Sequence, residues 1–403
     1  MLIGMIFSTT LLYGQGKGST YSIFGIGELK PLVSVQNAGM GFTSIGVSNP
    51  YYINLVNPAA NANAANFFSH RFEMGLFLNN TSLKTADGGS EKVKDGGISQ
   101  LSYWFRINKR WTALLGLSNY SNVGYSVVDN SVLVSNNSEF TVVYNGSGGL
   151  NQTYFSNSIL ITKSLSVGAR FAFIFGNIIK SENVIPSQSS NAFVVENSIN
   201  VRKVNVDFGL NYLIKKDDYE VNVGAIYDNG TELPGTIQAT VSSASNVKLI
   251  EESEFTRDYS LPQKFGIGVS FRNQKITVAA DIESAKWSEA SVGVGQSLND
   301  TWRASMGVEY VPDYQSTSFL KRINYRAGAY RQNHYLNVNN TSFDQWGITA
   351  GFGIQMRNAS SMNFAYHKKF NGTRKNGLIY ESTNEFTFSV AIKERWFVQN
   401  KYN

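Results

Sequence analysis

Cysteine is absent from the 403 residues, which excludes disulfides, thiolate metal sites and a cysteine nucleophile. Charge is scarce: Asp, Glu, Lys and Arg make up only 16% of the chain, below the usual quarter of a globular protein. No apolar run approaches the ~18 residues of a spanning helix. The net charge of +6 comes from basic residues spread evenly, without a Lys/Arg run. That distribution suits a solvated surface and argues against nucleic acid as a partner. His70, His334 and His367 share no spacing that would bind a metal. No G-x-S-x-G elbow, P-loop or Ser/His set stands out, and the same-face pair Asp281 and Glu283 is not backed by one. The chain therefore reads as a non-enzyme that needs no cofactor or metal.

Aromatic residues are plentiful, at 13%, and they fall in a pattern. Period-2 alternation repeats to the C-terminus. Val204, Val206, Phe208, Leu210 and Tyr212 alternate with Asn205, Asp207, Gly209 and Asn211. Phe265, Ile267, Val269 and Phe271 alternate with Gly266, Gly268 and Ser270. In Arg71–Asn79, Phe77 breaks an otherwise polar face. Such runs fall near 71–79, 98–107, 111–121, 152–163, 165–178, 201–214, 219–228, 262–271, 275–285, 302–311, 322–335, 344–357, 360–369 and 384–397. Each is near the ~9–11 residues, or somewhat more, that cross a bilayer as a tilted strand, and single-chain bacterial barrels have an even number of strands. Fourteen such runs predict an all-β fold, a 14-stranded antiparallel transmembrane β-barrel.

Connections alternate in length. Short ones lie near Asn108–Arg110, Ser164, Lys215–Asp218, Arg272–Gln274 and Asn358–Ala359. Long, Asn-rich ones lie near Asn80–Gly97, Asn122–Asn151, Ile179–Asn200, Asn229–Leu261 and Lys286–Thr301. Outer-membrane barrels sort their connections this way, with short periplasmic turns and long external loops. Lipid cannot satisfy open backbone groups, so the sheet must close and its polar phase must line the interior. Trp111, Trp287, Trp302, Trp346 and Trp396 lie near run ends, where interface aromatics belong; Trp104 lies mid-run and does not. Inward-phase charges include Glu73, Arg106, Arg170, Asp207, Glu220, Asp281, Glu283, Arg303, Glu309, Arg326 and Arg357. Mutual pairing in a filled lumen is favoured for them over a selectivity network, and an Asp281–Arg pair is one option. Residues 20–66 are rich in Gly, Asn and Ala, carry no long alternating run, and suit a plug.

The stretch NAGMGFTSIGVSNPYYINLVNPAANANA (Asn37–Ala64) resembles the N-terminal hatch of the FadL/TodX outer-membrane transporter family, also called OMPP1. Its core is Asn57-Pro58-Ala59 after Gly39, Gly41 and Gly46. SNYSNVGYSV (Ser118–Val127), GSGGLNQTYF (Gly146–Phe155), SVGARFAFIFG (Ser166–Gly176), LPQKFGIGVSF (Leu261–Phe271) and KERWF (Lys393–Phe397) look like that family's Bacteroidetes branch. The chain departs from the usual barrel ending, since WFVQNKYN has no terminal aromatic.

The resemblance implies an outer-membrane barrel of a Gram-negative bacterium with an N-terminal hatch in the lumen. It implies passive transport of long-chain fatty acids or similar hydrophobic compounds, with a sideways exit at a kinked third strand. The expected division is a signal peptide at 1–14, a hatch at 15–68, the barrel at 69–398 and a periplasmic tail at 399–403. The signal rests on the apolar stretch Leu2–Leu12 and lacks a basic n-region. The expected sites are the hatch motif Asn57, Pro58 and Ala59; ligand-lining Tyr51, Tyr52, Ile53, Leu55 and Val56; and a lateral-opening kink at Asn119, Tyr120, Asn122 and Gly124. The kink residues also fit an ordinary strand end entering a loop. Expected partners are membrane lipids and a hydrophobic small-molecule ligand, with the protein a monomer. Relatives in this branch also resemble components of type IX protein secretion, so the alternative is a non-transporting barrel partner or plug of that complex.

Overall fold

The computed structural model describes residues 18–394 apart from 135–137, 187–191, 244–246, 293–297, 314–315, 339 and 357–359. One sheet dominates it. Fourteen strands form a ring: β1 (His70–Lys84), β2 (Ser90–Arg106), β3 (Trp111–Val134), β4 (Ser138–Leu160), β5 (Leu165–Pro186), β6 (Phe193–Lys215), β7 (Tyr219–Asp228, continued as Thr231–Ser243), β8 (Lys248–Leu261, continued as Lys264–Asn273), β9 (Ile276–Ala285), β10 (Thr301–Tyr310), β11 (Asn324–Asn333), β12 (Asp344–Gln355), β13 (Ser361–Asn371) and β14 (Tyr380–Glu394). All neighbours are antiparallel, and β14 pairs with β1 from Tyr380↔Lys84 to Glu394↔His70, which closes the barrel. β7 and β8 each count once because both halves of each follow the same neighbours: β6 pairs with both halves of β7, which in turn pair with the two halves of β8.

Each alternating run lies in one of these strands. The wall is apolar outside for the reason the alternation implies. Leu115, Phe155, Phe171, Phe208, Phe265, Ile282, Met306 and Ile348 are all exposed, while Ser102, Ser156, Asn205, Asn222, Asp281, Ser305 and Asn363 are buried on the opposite face. An apolar exterior this continuous over a closed sheet belongs in hydrocarbon. Trp111, Trp302 and Trp346 are exposed near strand ends, as an interfacial belt requires. Trp287 is a correction: it is buried in a loop and stacks on Tyr335 with ring centroids 4.1 Å apart. Trp396 lies outside the described residues. Trp104 is fully buried because it sits in the polar phase of β2, where the guanidinium of Arg71 lies 4.1 Å from its ring.

The long connections are mostly not loops. Residues 122–134 and 138–151 continue β3 and β4, 179–186 continue β5, 193–200 continue β6, and 231–243 and 248–261 continue β7 and β8. The alternation fades there because, beyond the bilayer, water wets the outer face and no longer demands apolar side chains. Lys286–Thr301 does remain largely irregular, with one short helical turn at Trp287–Glu289.

Residues 18–69 cover the polar face of the strands. They contain a helical turn at Thr20–Ile23, a two-residue strand at Glu28–Leu29, a short helix at Val35–Ala38 and a 3-10 segment at Pro58–Asn66.

Candidate functional site

The buried segment is fastened at both ends of the barrel. At the end carrying the long hairpins, the Glu381 carboxylate accepts hydrogen bonds from the Ser19 hydroxyl (2.8 Å) and the Thr20 amide (2.8 Å). Lys180 Nζ donates to the carbonyls of Ile23 (2.8 Å) and Gly25 (2.9 Å). Two apolar clusters pack around these contacts. One joins Tyr21 to Leu336, Phe343 and Leu378. The other sets Ile26 among Val123, Leu150, Ile178, Ile199 and Leu233. His334 lies among the first set, against the Tyr21 and Phe343 rings. Burial lowers its pKa to about 4, and its Nδ1 accepts from the Leu336 amide at 3.1 Å.

At the opposite end, Asn57, Pro58 and Ala59 sit against β4, β5 and β6. The Asn57 side chain caps the helical turn by accepting from Ala59 N (3.0 Å) and donates to the carbonyls of Ile45 (3.0 Å) and Leu210 (3.1 Å). Proline at the first helical position needs no amide partner. The motif can come this close only because the wall is glycine there. A Cβ on Gly209 would lie 2.2 Å from Asn57 Oδ1, and one on Gly168 would lie 2.5 Å from the Pro58 carbonyl carbon.

Charges hold the rest. Asp281 accepts from the amides of Ser44 (2.6 Å), Ile45 (2.9 Å) and Gly46 (3.3 Å). Its partners are therefore backbone N–H groups, a compact anion cradle, and not the arginine considered from the sequence. Glu309 and Arg326 form a buried ion pair at 2.7 Å. Tyr52 Oη donates to Glu309 (2.6 Å) and accepts from Arg326 Nη2 (3.0 Å). Arg170 pairs with Asp207 at 2.7 Å and Glu220 pairs with Arg272. Pairing thus dominates the inward charges; Arg357 lies outside the described residues.

Between the two fastened ends lies a cavity of about 410 Å³. Leu29, Lys30, Pro31, Leu32 and Val33 line it from the buried segment, with Arg170, Asp207, Lys264, Glu283, Arg303, His367, Lys369 and Glu385 from the wall. Glu28 bridges Lys30 (3.1 Å) and Lys369 (2.5 Å). The residues expected to line a ligand lie elsewhere. Tyr52 belongs to the Glu309–Arg326 network, Ile53 and Leu55 pack with Trp104, Phe68 and Tyr154, Val56 is half-buried beside them, and Tyr51 is exposed near Phe67 and Phe68. Sequence reading missed Glu28–Val33; the signal available was a Glu/Lys pair inside an otherwise uncharged, Gly-rich stretch.

The cavity reaches the wall at one seam. β2 and β3 pair only from Arg106↔Thr112 to Gln100↔Ser118. At that point both strands bulge. Ser99 is the extra residue between Ile98 and Gln100 in the β1–β2 ladder, and Tyr120 is the extra residue between Asn119 and Ser121 in the β3–β4 ladder. Bulges bend strands and end pairing. Beyond them β3 takes a different neighbour: Glu28↔Asn122 and Leu29↔Ser121. Ser99, Asn119 and Tyr120 line the cavity, with Phe77 beside them. Across the seam, Asn122 Nδ2 donates to Asp95 Oδ2 at 2.9 Å. The Gly124 carbonyl accepts from the Gly18 amide at 2.5 Å, and the Gly124 amide donates to the Ser22 hydroxyl oxygen at 3.2 Å. Among the described residues no group of three His, Asp or Glu could hold a metal.

A closed ring of fourteen strands with an apolar exterior, a polar and partly filled interior and one bulged seam defines a membrane-spanning barrel of the outer-membrane type. The family profile described as BamG matches residues 1–403. The chain therefore belongs to the BamG family. Among solved structures it is similar to a Pseudomonas aeruginosa FadL homologue (12% identity, 91% of this chain and 99% of that one, TM-score 0.64). It is also similar to the Pseudomonas putida toluene transporter TodX (16% identity, 92% and 100%, TM-score 0.59), and to CymD, a monoaromatic hydrocarbon channel (14% identity, 92% and 99%, TM-score 0.58). No curated protein matches the chain.

Proposed function

We propose that this protein is a passive outer-membrane channel for long-chain fatty acids or similar hydrophobic compounds, of the Bacteroidetes branch of its fold family, with an N-terminal hatch in the lumen. The hatch is residues 15–68 and the barrel 69–398, after a signal at 1–14 and before a tail at 399–403. The observation that carries this is the seam: a cavity that meets the wall where the β2–β3 ladder stops between two bulges. On that side of β3 the buried segment takes over, with Glu28–Leu29 paired to Asn122 and Ser121 and the Lys30 amide donating to the Tyr120 carbonyl. A ligand loosening that two-residue strand would leave sideways past Asn119, Tyr120, Asn122 and Gly124 into lipid, driven by the transfer of apolar surface out of water. The Asn57-Pro58-Ala59 seat, bonded to Leu210, Ser158 and Ser166 of the wall, holds the other end of the segment in place. The solved relatives named for hydrocarbon and toluene transport share the barrel fold.

The test is uptake of a labelled long-chain fatty acid into proteoliposomes. With Leu29→Cys and Ser99→Cys oxidised to each other, uptake should stop and return on reduction. Uptake unaffected by that bond overturns the lateral route.

A second reading rests on a different observation. The hairpin end is closed by the Tyr21 and Ile26 clusters, and the β3–β8 hairpins stand well beyond the bilayer with exposed Val128, Ile185, Val247 and Leu249. A sealed barrel presenting such a wall would be a non-transporting partner in a protein complex, type IX secretion being the one its sequence resemblance suggests. Lipid extraction and mass spectrometry of the purified protein separates the two: a reproducibly bound fatty acid favours transport, and its absence together with co-purifying secretion proteins favours the partner role.

A further inference from the structure

The outer wall also carries a feature unrelated to the lumen. Across β9–β12 the lipid face is low. Ala280 pairs with Met306, which pairs with Ala329, which pairs with Ile348. In the next rung Ala304 pairs with Arg331, and Arg331 with Trp346. Alanines where neighbouring strands carry Phe, Leu or Ile leave a groove of about 1110 Å³, overhung by the connections at Thr341–Asp344 and Gly372–Lys375. Those connections are tied together by Asn376 Nδ2 donating to Thr341 Oγ1 at 2.7 Å.

The groove is apolar, but cations gather round its upper part. Arg331 is in it and Lys375 overhangs it. Lys368 is beside it, directly paired with Ile348. Lys368 lies in the outward phase of β13, since its neighbours His367 and Lys369 face inward. A charge on the lipid face is unfavourable away from the interface. Yet the partners of Lys368 are neutral: its Nζ donates to Asn384 Oδ1 (2.9 Å) and lies 5.5 Å from the Phe370 ring. The acidic group facing this cluster is Asp344, which pairs with Arg331 at 2.6 Å. Three cations against one carboxylate, above an apolar trough within the membrane, complement an anionic headgroup on an acyl chain.

We propose that this groove holds one bilayer lipid with a phosphate headgroup, its acyl chain lying over Ala280, Ala304 and Ala329 and its phosphate facing Lys368, Arg331 and Lys375. The site does not depend on transport through the barrel.

The experiment is native mass spectrometry of the detergent-purified protein titrated with phosphatidylglycerol or with phosphatidylcholine. Phosphatidylglycerol should remain bound at collision energies that strip phosphatidylcholine. Lys368→Gln and Arg331→Gln should each lower phosphatidylglycerol retention about fivefold, the worth of one basic residue at an anionic surface. Ala329→Leu, which fills the trough without touching charge, should displace the lipid as well. Heat-modifiable migration on gels confirms that each variant is folded, and excess inorganic phosphate should not compete. Equal retention of the two lipids, retention unchanged by the variants, or full competition by inorganic phosphate would each overturn the proposal.

Discussion

Glu309→Gln tests how the buried segment is held. Glu309 and Arg326 are both essentially without solvent, with side-chain exposures of 2% and 1%. Arg326 also reaches Asn363 at 3.1 Å, and Tyr52 bonds both charges. Removing one partner of a buried pair leaves the other uncompensated, a cost of about 3–5 kcal/mol. Replacing both with apolar groups of similar volume is often near neutral. Glu309→Gln should therefore lower stability by about 3–5 kcal/mol, and Glu309→Leu with Arg326→Met should recover most of the loss. Tyr52→Phe should cost about 1–3 kcal/mol, since it strips a bond from each charge. Urea-dependent unfolding in detergent micelles, followed by tryptophan fluorescence, measures all three. Hydrogen exchange at residues 50–54 shows whether the segment detaches. If the double variant is as unstable as the single, or the single loses under about 1 kcal/mol, removing Glu309 does not leave an uncompensated buried charge.

Asp281→Asn keeps the shape of the cradle but gives up its charge-assisted bonds to three amides, which should cost about 1.5–3 kcal/mol and speed hydrogen exchange at Ser44, Ile45 and Gly46. Gly209→Val puts a side chain where a Cβ already falls 2.2 Å from Asn57 Oδ1; exchange should rise across residues 57–60 while the barrel still closes, as judged by gel migration. For His334 the folded pKa of about 4 lies below the unfolded value near 6.5. The unfolded state therefore takes up the proton first, and the local stability present above pH ~6.5 is lost as pH falls towards 4. Exchange at 334–338 should rise over that interval in the wild type and be flat in His334→Gln.

The barrel was legible because lipid enforces it. A strand facing hydrocarbon on one side and a wet or filled interior on the other must alternate, so Phe265–Phe271 or Ile276–Ile282 announces both its state and its faces. The same physics explains the failures. Above the bilayer the outer face is no longer constrained, and 122–134 and 138–151 hide as loops although they are the ends of strands of 24 and 23 residues. The buried segment was visible as a composition, but not in its contacts. Tyr52 reads as an aromatic suited to ligand, and its hydroxyl is consumed by Glu309 and Arg326, residues more than 250 positions away. Asp281 reads as half of an ion pair, and its partners turn out to be amides that carry no side-chain signature.

Phe77 is the position where sequence and site meet. It breaks the polar face of β1, and the structure places it on the cavity beside Ser99 and Tyr120. Arg170, Asp207, Asp228, Lys264, Glu283, Arg303, Lys369 and Glu385 put charge on the cavity wall from the other strands, so an apolar ligand crossing its centre would gain little from leaving water. Leu29, Leu32, Phe77 and Tyr120 offer apolar surface beside the seam, and Leu261, Trp287, Trp302 and Tyr335 offer more on the β8–β11 side. The track that ends at the seam hugs β1–β3, and the charges on the other strands keep the volume between the two apolar patches wet. Phe77→Asp should then cut uptake in the proteoliposome assay far more than His367→Gln on the opposite wall. Equal loss from both would mean that the ligand samples the whole cavity, and no loss from either would leave the sealed-barrel reading in possession.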